Sequence, residues 1–456
     1  MEIGDRKQMA KTRESFLDYF TDWRTLWAYI KGKIRHPGIQ KYSKNTAWMF
    51  FGRFFTLGIS FFISIYIARY LGPSNYGLFN YVISFVGLFG FLTSFGIDGI
   101  VSREIIKDHS KKDEIIGTGF YMKIIGSVLA ILIIFIVSFF TAKDFFTLGL
   151  IWIFSLNFIP QAFNIIEIYF QSQVLSKKVV TAQITASVIS TLLKILCITL
   201  NKGIFWLTLI YIVETSVYAL ILLFSFRKFG NHLKKWKFNI NIVKSLLKDS
   251  WPLMLSSVAI GIYMKIDQVM IKNMLGNEQT GIYSVAVRLS EVWYFIPVLI
   301  CTSLSPAIIK AITISKELFE NRMKKLYFLM FWLSFFIASF ITIFSYPIIK
   351  ILFGTPYLEA ITTLQIYVWA GIGVFLGVAV SQYLLAINLT KISFYNTLLG
   401  AIINVILNII LIPRIGINGA AIATLISYTM STFGIFLFKE ARSQGLLMMK
   451  SIFSYK

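Results

Sequence analysis

Two long apolar runs joined by a six-residue turn constrain the chain more than any other feature. The first run opens Asn45-Thr46-Ala47-Trp48 and closes Ile67-Ala68-Arg69-Tyr70. At about 26 residues it exceeds the roughly 20 that an α-helix needs to cross a bilayer. Leu71-Gly72-Pro73-Ser74-Asn75-Tyr76 is uncharged and dense in turn formers, and a second run follows to about Ser102. The pair reads as a transmembrane helical hairpin. Its polar residues are periodic: Arg53, Thr56, Ser60 and Ser64 share one helical face, and Asn80, Ser84, Gly87, Ser94 and Asp98 share one on the second helix. Ionisable groups at membrane depth face a bundle interior or an aqueous cavity, so Arg53 and Asp98 point to a polar lumen. For Asp98 a local pair with Arg103 is the competing reading.

Ten further apolar runs follow, near 117–141, 145–170, 178–200, 205–228, 249–274, 280–309, 325–345, 358–387, 391–412 and 417–438, which predicts twelve spans. With 57% hydrophobic and 14% charged residues, the chain is far more apolar than a soluble globule, in which about a quarter of residues are charged. The net charge of +23 is carried mainly between the runs. With the amino terminus taken as cytoplasmic, about 33 Lys and Arg fall on the inner side and about 4 on the outer. Both termini are therefore expected in the cytoplasm, and no nucleic-acid partner is expected. Cys197 and Cys301 lie inside apolar runs and the three histidines are scattered, so neither a disulfide framework nor a metal cluster is predicted. No apolar run precedes residue 45, so the first span is expected to serve as an uncleaved anchor.

The runs repeat. Gly72 and Gly77 are echoed by Gly276 and Gly281 at an offset of 204, and Lys178 and Gly203 by Lys391 and Gly416 at an offset of 213. Six helices per half give both halves the same orientation, related by a pseudo-twofold axis along the membrane normal, with a cleft between them. The predicted architecture is an all-α membrane protein of two pseudo-symmetric six-helix bundles around a central cavity. Its divisions are a basic amino-terminal segment (1–44), a first bundle (45–228), a basic linker (229–248), a second bundle (249–438) and a tail (439–456). In the first segment Phe16, Phe20, Trp23, Trp27, Ile30 and Ile34 form one helical stripe, suited to the membrane interface or to packing on cytoplasmic loops.

Polar residues within spans mark candidate lumen positions. Asn157, Gln161, Asn164, Glu167 and Gln171 form one face of the fourth span around Pro160, which permits a kink; interhelical hydrogen bonding is the alternative. Lys194 follows Gln183, Ser187 and Ser190 on a face of the fifth. Lys265 and Asp267 lie in the seventh, and Arg288 and Glu291 one turn apart in the eighth, where they could simply neutralise each other. Lys123 and Lys272, near span ends, are expected to snorkel. Arg53, Lys194, Lys265 and Arg288, opposed by Asp267, Glu291, Glu167 and Glu214, place cations at several depths, as passage of a phosphate-bearing group requires.

The Ala68-Arg69-Tyr70-Leu71-Gly72-Pro73 turn, the Gly77 to Tyr81 stretch, Gly96-Ile97-Asp98-Gly99 with Arg103-Glu104, and the Asn404 to Gly419 segment resemble the polysaccharide flippases of the multidrug and oligosaccharide-lipid exporter superfamily. The resemblance covers roughly residues 45–440. It implies a V-shaped cavity and movement of an undecaprenyl-diphosphate-type lipid-linked oligosaccharide from the inner to the outer leaflet of a prokaryotic cytoplasmic membrane. It also implies substrate contacts at Arg53 and Arg288, membrane lipids and polysaccharide assembly proteins as partners, and no catalytic residue. No cofactor is expected; coupling to Na⁺ or H⁺ is left open. A drug or other lipid exporter of the superfamily is the neighbouring reading. A polysaccharide polymerase or ligase is disfavoured because the longest outer loop, about 346–357, carries only Lys350. No Gly-Lys-Thr or Gly-Lys-Ser loop points to ATP.

Overall fold

The computed structural model describes residues 37–142, 144–387 and 389–453. The amphipathic stripe expected between Phe16 and Ile34 lies outside them. Among the described residues every regular element is helical. Helix Pro37–Gly87 contains the first span and the start of the second, divided at Gly72, whose φ of 68° and ψ of 171° leave the helical region immediately before Pro73. Its 43 apolar-rich residues from Asn45 would extend about 65 Å if straight, twice a hydrocarbon core, so two spans are fused in it. Among the described residues eleven helices are long and apolar enough to cross a membrane, and division at Gly72 makes twelve.

The second span ends in Gly90–Ser94 and Asp98–Lys107, and the third is Lys112–Thr141. The fourth is broken into Phe145–Ser155, Phe158–Gln161 and Asn164–Ser172 around Pro160. Ser176–Thr199 and Ile204–Lys228 complete the first half. The second half runs Ile240–Leu275, Asn277–Glu291 with Phe295–Ile314, Lys316–Leu352, Ala360–Tyr367 with Ala370–Ala386, Thr390–Ile415 and Ile417–Phe433. A closing helix, Lys439–Phe453, packs along the ninth span, where Trp332 Nε1 donates to the Ile452 carbonyl at 3.2 Å. The seventh and ninth spans start about nine residues earlier than their apolar runs. These extra turns interleave charged and polar residues with apolar ones, so hydropathy marks the bilayer-embedded part and not the helix.

The repeat has a physical basis at the end of the molecule that carries the Gly72 and Gly276 turns. Both residues adopt positive φ, 68° and 93°, with ψ near 180°, a region that a side chain disfavours strongly. Five residues on, Gly77 and Gly281 bring the second and eighth spans into backbone contact. A Cβ on Gly77 would overlap the Asn277 carbonyl, and one on Gly281 would overlap the Pro73 carbonyl. At this turn end the halves share one apolar core, in which Tyr76, Tyr81 and Phe85 join Ile282, Tyr283, Phe353 and Tyr357. At the opposite, linker end the cores part: one cluster holds Ile116, Ile166, Phe170 and Phe226, another Met323, Tyr327, Leu376 and Ile435. The apolar cores thus merge at the turn end and part toward the linker end, where the seventh span still meets the second at Gly96 and Met254, and the space between them is the predicted cleft.

Asp144, between the third and fourth spans, caps the fourth by accepting from the Thr147 amide at 2.7 Å. Burial opposes its charge, but the Thr147 donors, the nearby Lys272 and the Phe146 amide together outweigh that and hold its carboxyl below the usual range.

Gly281→Ala is expected to lower the melting temperature of the purified protein by several degrees, since overpacking costs about 1–3 kcal/mol. Gly149→Ala, where an added Cβ meets nothing, should leave it unchanged or raise it; differential scanning fluorimetry of both variants checks this.

Candidate functional site

The polar face of the first span lines the cleft because its other faces are occupied. Asn45 fixes its linker end through reciprocal bonds with Ser176, at 2.9 and 2.7 Å, and Val180 packs against Gly52. Arg53, Thr56, Ser60 and Ser64 then face inward. The cleft has three connected parts, each with Leu57 in its wall. Nearest the linker end, about 520 Å³ is lined by Arg53, Glu167, Gln171, Gln183 and Glu291. A side chamber of about 300 Å³ holds Arg53, Glu214, Thr215 and Tyr218. The deepest part, about 360 Å³, holds Asn80, Lys265, Gln268, Arg288 and Glu291. Arg53, Arg288, Lys265, Glu167 and Glu291 thus line adjoining chambers.

The turn-end floor of this cavity is bonded across the halves. Arg288 donates from Nη2 to the Ser60 carbonyl and hydroxyl at 2.6 and 2.7 Å and from Nε to Ser64 Oγ at 3.0 Å. Ser84 Oγ meets Gln268 Oε1 at 2.5 Å. Beyond them, Arg69 donates to the Ile351 carbonyl at 2.6 Å, and Tyr357 to the Ala68 carbonyl at 2.7 Å. Arg288 is thus held by the first span and not by Glu291 in an ion pair. Glu291 instead accepts from Tyr367 Oη at 3.1 Å. At the linker end Arg103 bonds both Glu104 and, across the halves, Asp249.

Several predicted lumen residues lie elsewhere. Lys194 is only 4% exposed; it pairs with Glu214 at 2.8 Å and sits 3.9 Å from the centre of the Tyr211 ring. Lys123 does not snorkel: it is 4% exposed and pairs with Asp98 at 2.7 Å, so Asp98 is engaged by Lys123 and not by Arg103. Lys272 lies over the Tyr81 ring, 4.5 Å from its centre. On the broken fourth span, Glu167 and Gln171 reach the cavity, with Glu167 accepting from Tyr218 and Gln171 at 2.6 and 2.8 Å. Asn157 is buried and accepts from Thr215, and Gln161 and Asn164 line none of the three chambers. The breaks around Pro160 rotate the later face relative to the earlier one, which a single helical period cannot anticipate.

Asp267 points away from Lys265 into the core of the second half. Its carboxylate, 3% exposed, accepts from Tyr283 Oη at 2.8 Å, Asn408 Nδ2 at 2.6 Å and Thr424 Oγ1 at 2.5 Å. Asn408 Nδ2 also reaches Asn404 Oδ1 at 3.1 Å, while Asn404 Nδ2 and Asn408 Oδ1 lack a hydrogen-bond partner in the structure. Asn408 and Thr424, together with Tyr283 and Tyr367, were not marked by the sequence patterns; the four-residue step from Asn404 to Asn408 was the available signal.

Residues 42–312, more than half of the chain, match the family described as polysaccharide biosynthesis protein. The chain belongs to that family. A second match, to the MatE family, covers residues 252–410. A probable low-salt glycan biosynthesis flippase, Agl15, of Haloferax volcanii is 24% identical over 86% of this chain and 82% of its own length. An uncharacterized membrane protein of Methanocaldococcus jannaschii is 29% identical over 55% of this chain; the chain spans 58% of that relative's length. Among solved structures, an inward-facing multidrug resistance MATE transporter of the MOP superfamily aligns with a TM-score of 0.70 at 16% identity, covering 87% of this chain and 96% of the other. The lipid II flippase MurJ, inward closed, aligns at 0.68 and 18% identity, covering 88% and 90%. This member of the polysaccharide biosynthesis family is a multi-pass membrane protein with the two-lobe fold seen in structures of the MOP superfamily.

The Lys194 pair gives a test of burial. Glu214→Gln strands a buried ammonium and is expected to cost about 3 kcal/mol, the low end for a broken buried pair because Glu214 reaches cavity water. Adding Lys194→Met should recover most of the loss in thermal unfolding.

Proposed function

We propose that the protein moves a polyprenyl-diphosphate-linked oligosaccharide, with a tail of the undecaprenyl type, from the inner to the outer leaflet of a prokaryotic cytoplasmic membrane. What supports this reading is a cavity between the halves with Arg53, Lys265 and Arg288 at successive depths among amides, hydroxyls and the carboxyls of Glu167, Glu214 and Glu291. A diphosphate with attached sugars cannot enter hydrocarbon unassisted, because burial of unpaired charge and hydroxyls costs too much. Arginines supply bidentate anion contacts, and Ser60, Asn80, Gln183 and Gln268 supply neutral partners for sugar hydroxyls. The distribution of basic residues favours a cytoplasmic linker end and cytoplasmic termini. The cavity of this structure, sealed at the turn end, would then receive substrate from the cytoplasmic leaflet, while the tail stays in lipid. Polysaccharide assembly proteins would supply and consume the lipid-linked glycan. Similarity to the glycan biosynthesis flippase Agl15 and to the lipid II flippase MurJ supports the same substrate class.

The Asp267 cluster fits a small hard cation. Asp267 supplies a carboxylate, Asn404 and Asn408 supply amide oxygens, and Thr424 a hydroxyl, and Asn408 Oδ1 lacks a hydrogen-bond partner. These residues would let a transmembrane gradient of sodium, or of protons taken up on Asp267, drive transport. They would hold the cation; the other half of the task, substrate contact, belongs to the cavity. No bond is made or broken in the substrate.

Flipping of a fluorescent undecaprenyl-diphosphate oligosaccharide by the reconstituted protein tests the reading. Loss of one charge-assisted contact is worth about 1.5–3 kcal/mol, so Arg53→Ala and Arg288→Ala should each weaken substrate binding roughly tenfold to a hundredfold. Asp267→Asn should abolish dependence on a cation gradient while the protein stays folded.

A further inference from the structure

The cavity and the Asp267 cluster are separate in space, yet a continuous set of contacts joins them. Tyr367 Oη donates to Glu291 Oε1 at 3.1 Å, at the cavity. The Tyr367 ring meets that of Tyr283 edge to face, with centroids 5.9 Å apart at 75°. Tyr283 Oη donates to Asp267 Oδ2 at 2.8 Å. Both tyrosines are buried, at 2% and 0% exposure, so neither hydroxyl has bulk water as an alternative partner. Tyr283, Arg288 and Glu291 also lie on one continuous helix, Asn277–Glu291, whose Arg288 bonds the first span across the halves. One rigid element therefore touches the cation cluster, the cavity and the interface between halves.

We propose that Tyr283 and Tyr367 are positioning residues that couple cation binding at Asp267 to substrate binding at Glu291 and Arg288, with helix Asn277–Glu291 as the element that both sites bias. The proposal rests on the functional reading above. A cation on Asp267 competes for the lone pairs that Tyr283 Oη now engages and shifts that ring. The shift is passed to Tyr367 through a packed contact that has no space to absorb it, and so to Glu291. A diphosphate drawing on Arg288 loosens the Ser60 and Ser64 bonds and acts on the same helix from the other side. Coupling of this kind is reciprocal: each ligand changes the other's affinity by the same factor.

The test is equilibrium binding of the full chain in nanodiscs. Dissociation constants for an undecaprenyl-diphosphate oligosaccharide are measured in sodium chloride and in choline chloride at one pH, and sodium affinity is measured with and without the lipid. The unaltered protein should show a sodium effect on lipid affinity between about fivefold and 150-fold, the range of allosteric coupling free energies. Tyr367→Phe should bring that factor toward one while leaving sodium affinity in the absence of lipid unchanged. Tyr283→Phe should do the same while leaving lipid affinity in choline unchanged, and the double variant should lose no more than either single one. Retention of the factor in both variants overturns the proposal, as does parallel loss of both isolated affinities, which would mark the tyrosines as packing residues only. Lipid binding by the unaltered chain that disregards sodium overturns the coupling and leaves the functional reading standing; no lipid binding at all means the functional reading has failed and the coupling with it.

Discussion

The close approach of the two halves at Gly77 and Gly281 is the constraint on which the rest of the structure depends. Absence of side chains at these positions lets the second and eighth spans meet backbone to backbone. The turns at Gly72 and Gly276 place each of those spans against its predecessor. With the halves joined there, the apolar cores merge at the turn end and separate at the linker end. The cavity is the space this leaves, and its polar lining is tolerated because it faces neither lipid nor a dry core. In membranes, where lipid tails are as apolar as the protein, such small-residue contacts and interhelical hydrogen bonds carry association.

Charge placement follows from the same geometry. Buried cations that do not reach the cavity are neutralised inside their own half, Lys123 by Asp98 and Lys194 by Glu214. Cations that do reach it are bonded to neutral oxygens or left to the cavity, with Arg288 on serines of the opposite half. An arginine held by neutral partners can exchange them for a phosphate without stranding a buried carboxylate, whereas an arginine in a salt bridge cannot. This division between structural pairs and available bases is what makes the cavity suited to an anion.

The fold was largely legible in the sequence because its determinants are local. Span number follows from apolar length, the pseudo-symmetry from the spacing of two glycine pairs, and the cavity-facing side of the first span from the period of Arg53, Ser60 and Ser64. What failed needed distances between spans. Hydropathy could not tell that Lys123 turns toward Asp98 and not toward the lipid headgroups, nor that Lys194 finds Glu214, since partners on different helices leave no trace in periodicity. The fourth span misled for a different reason: its breaks around Pro160 separate Asn157, Gln161 and Asn164 from the face that carries Glu167 and Gln171. Asn408 and Thr424 were hidden because small polar residues in apolar helices read as packing until the buried Asp267 beside them is seen.

The proposed translocation requires the halves to rock about this interface, so that contacts at the turn end and the opening at the linker end exchange. Pulsed electron resonance distances report it directly, with Cys197 and Cys301 replaced and spin labels placed in two pairs. Lys202 with Glu359 spans the turn end, and Lys177 with Ser303 spans the linker end. The account predicts that lipid-linked substrate and sodium together lengthen the first distance and shorten the second. Distances that stay fixed, or that change in the same direction, would contradict it.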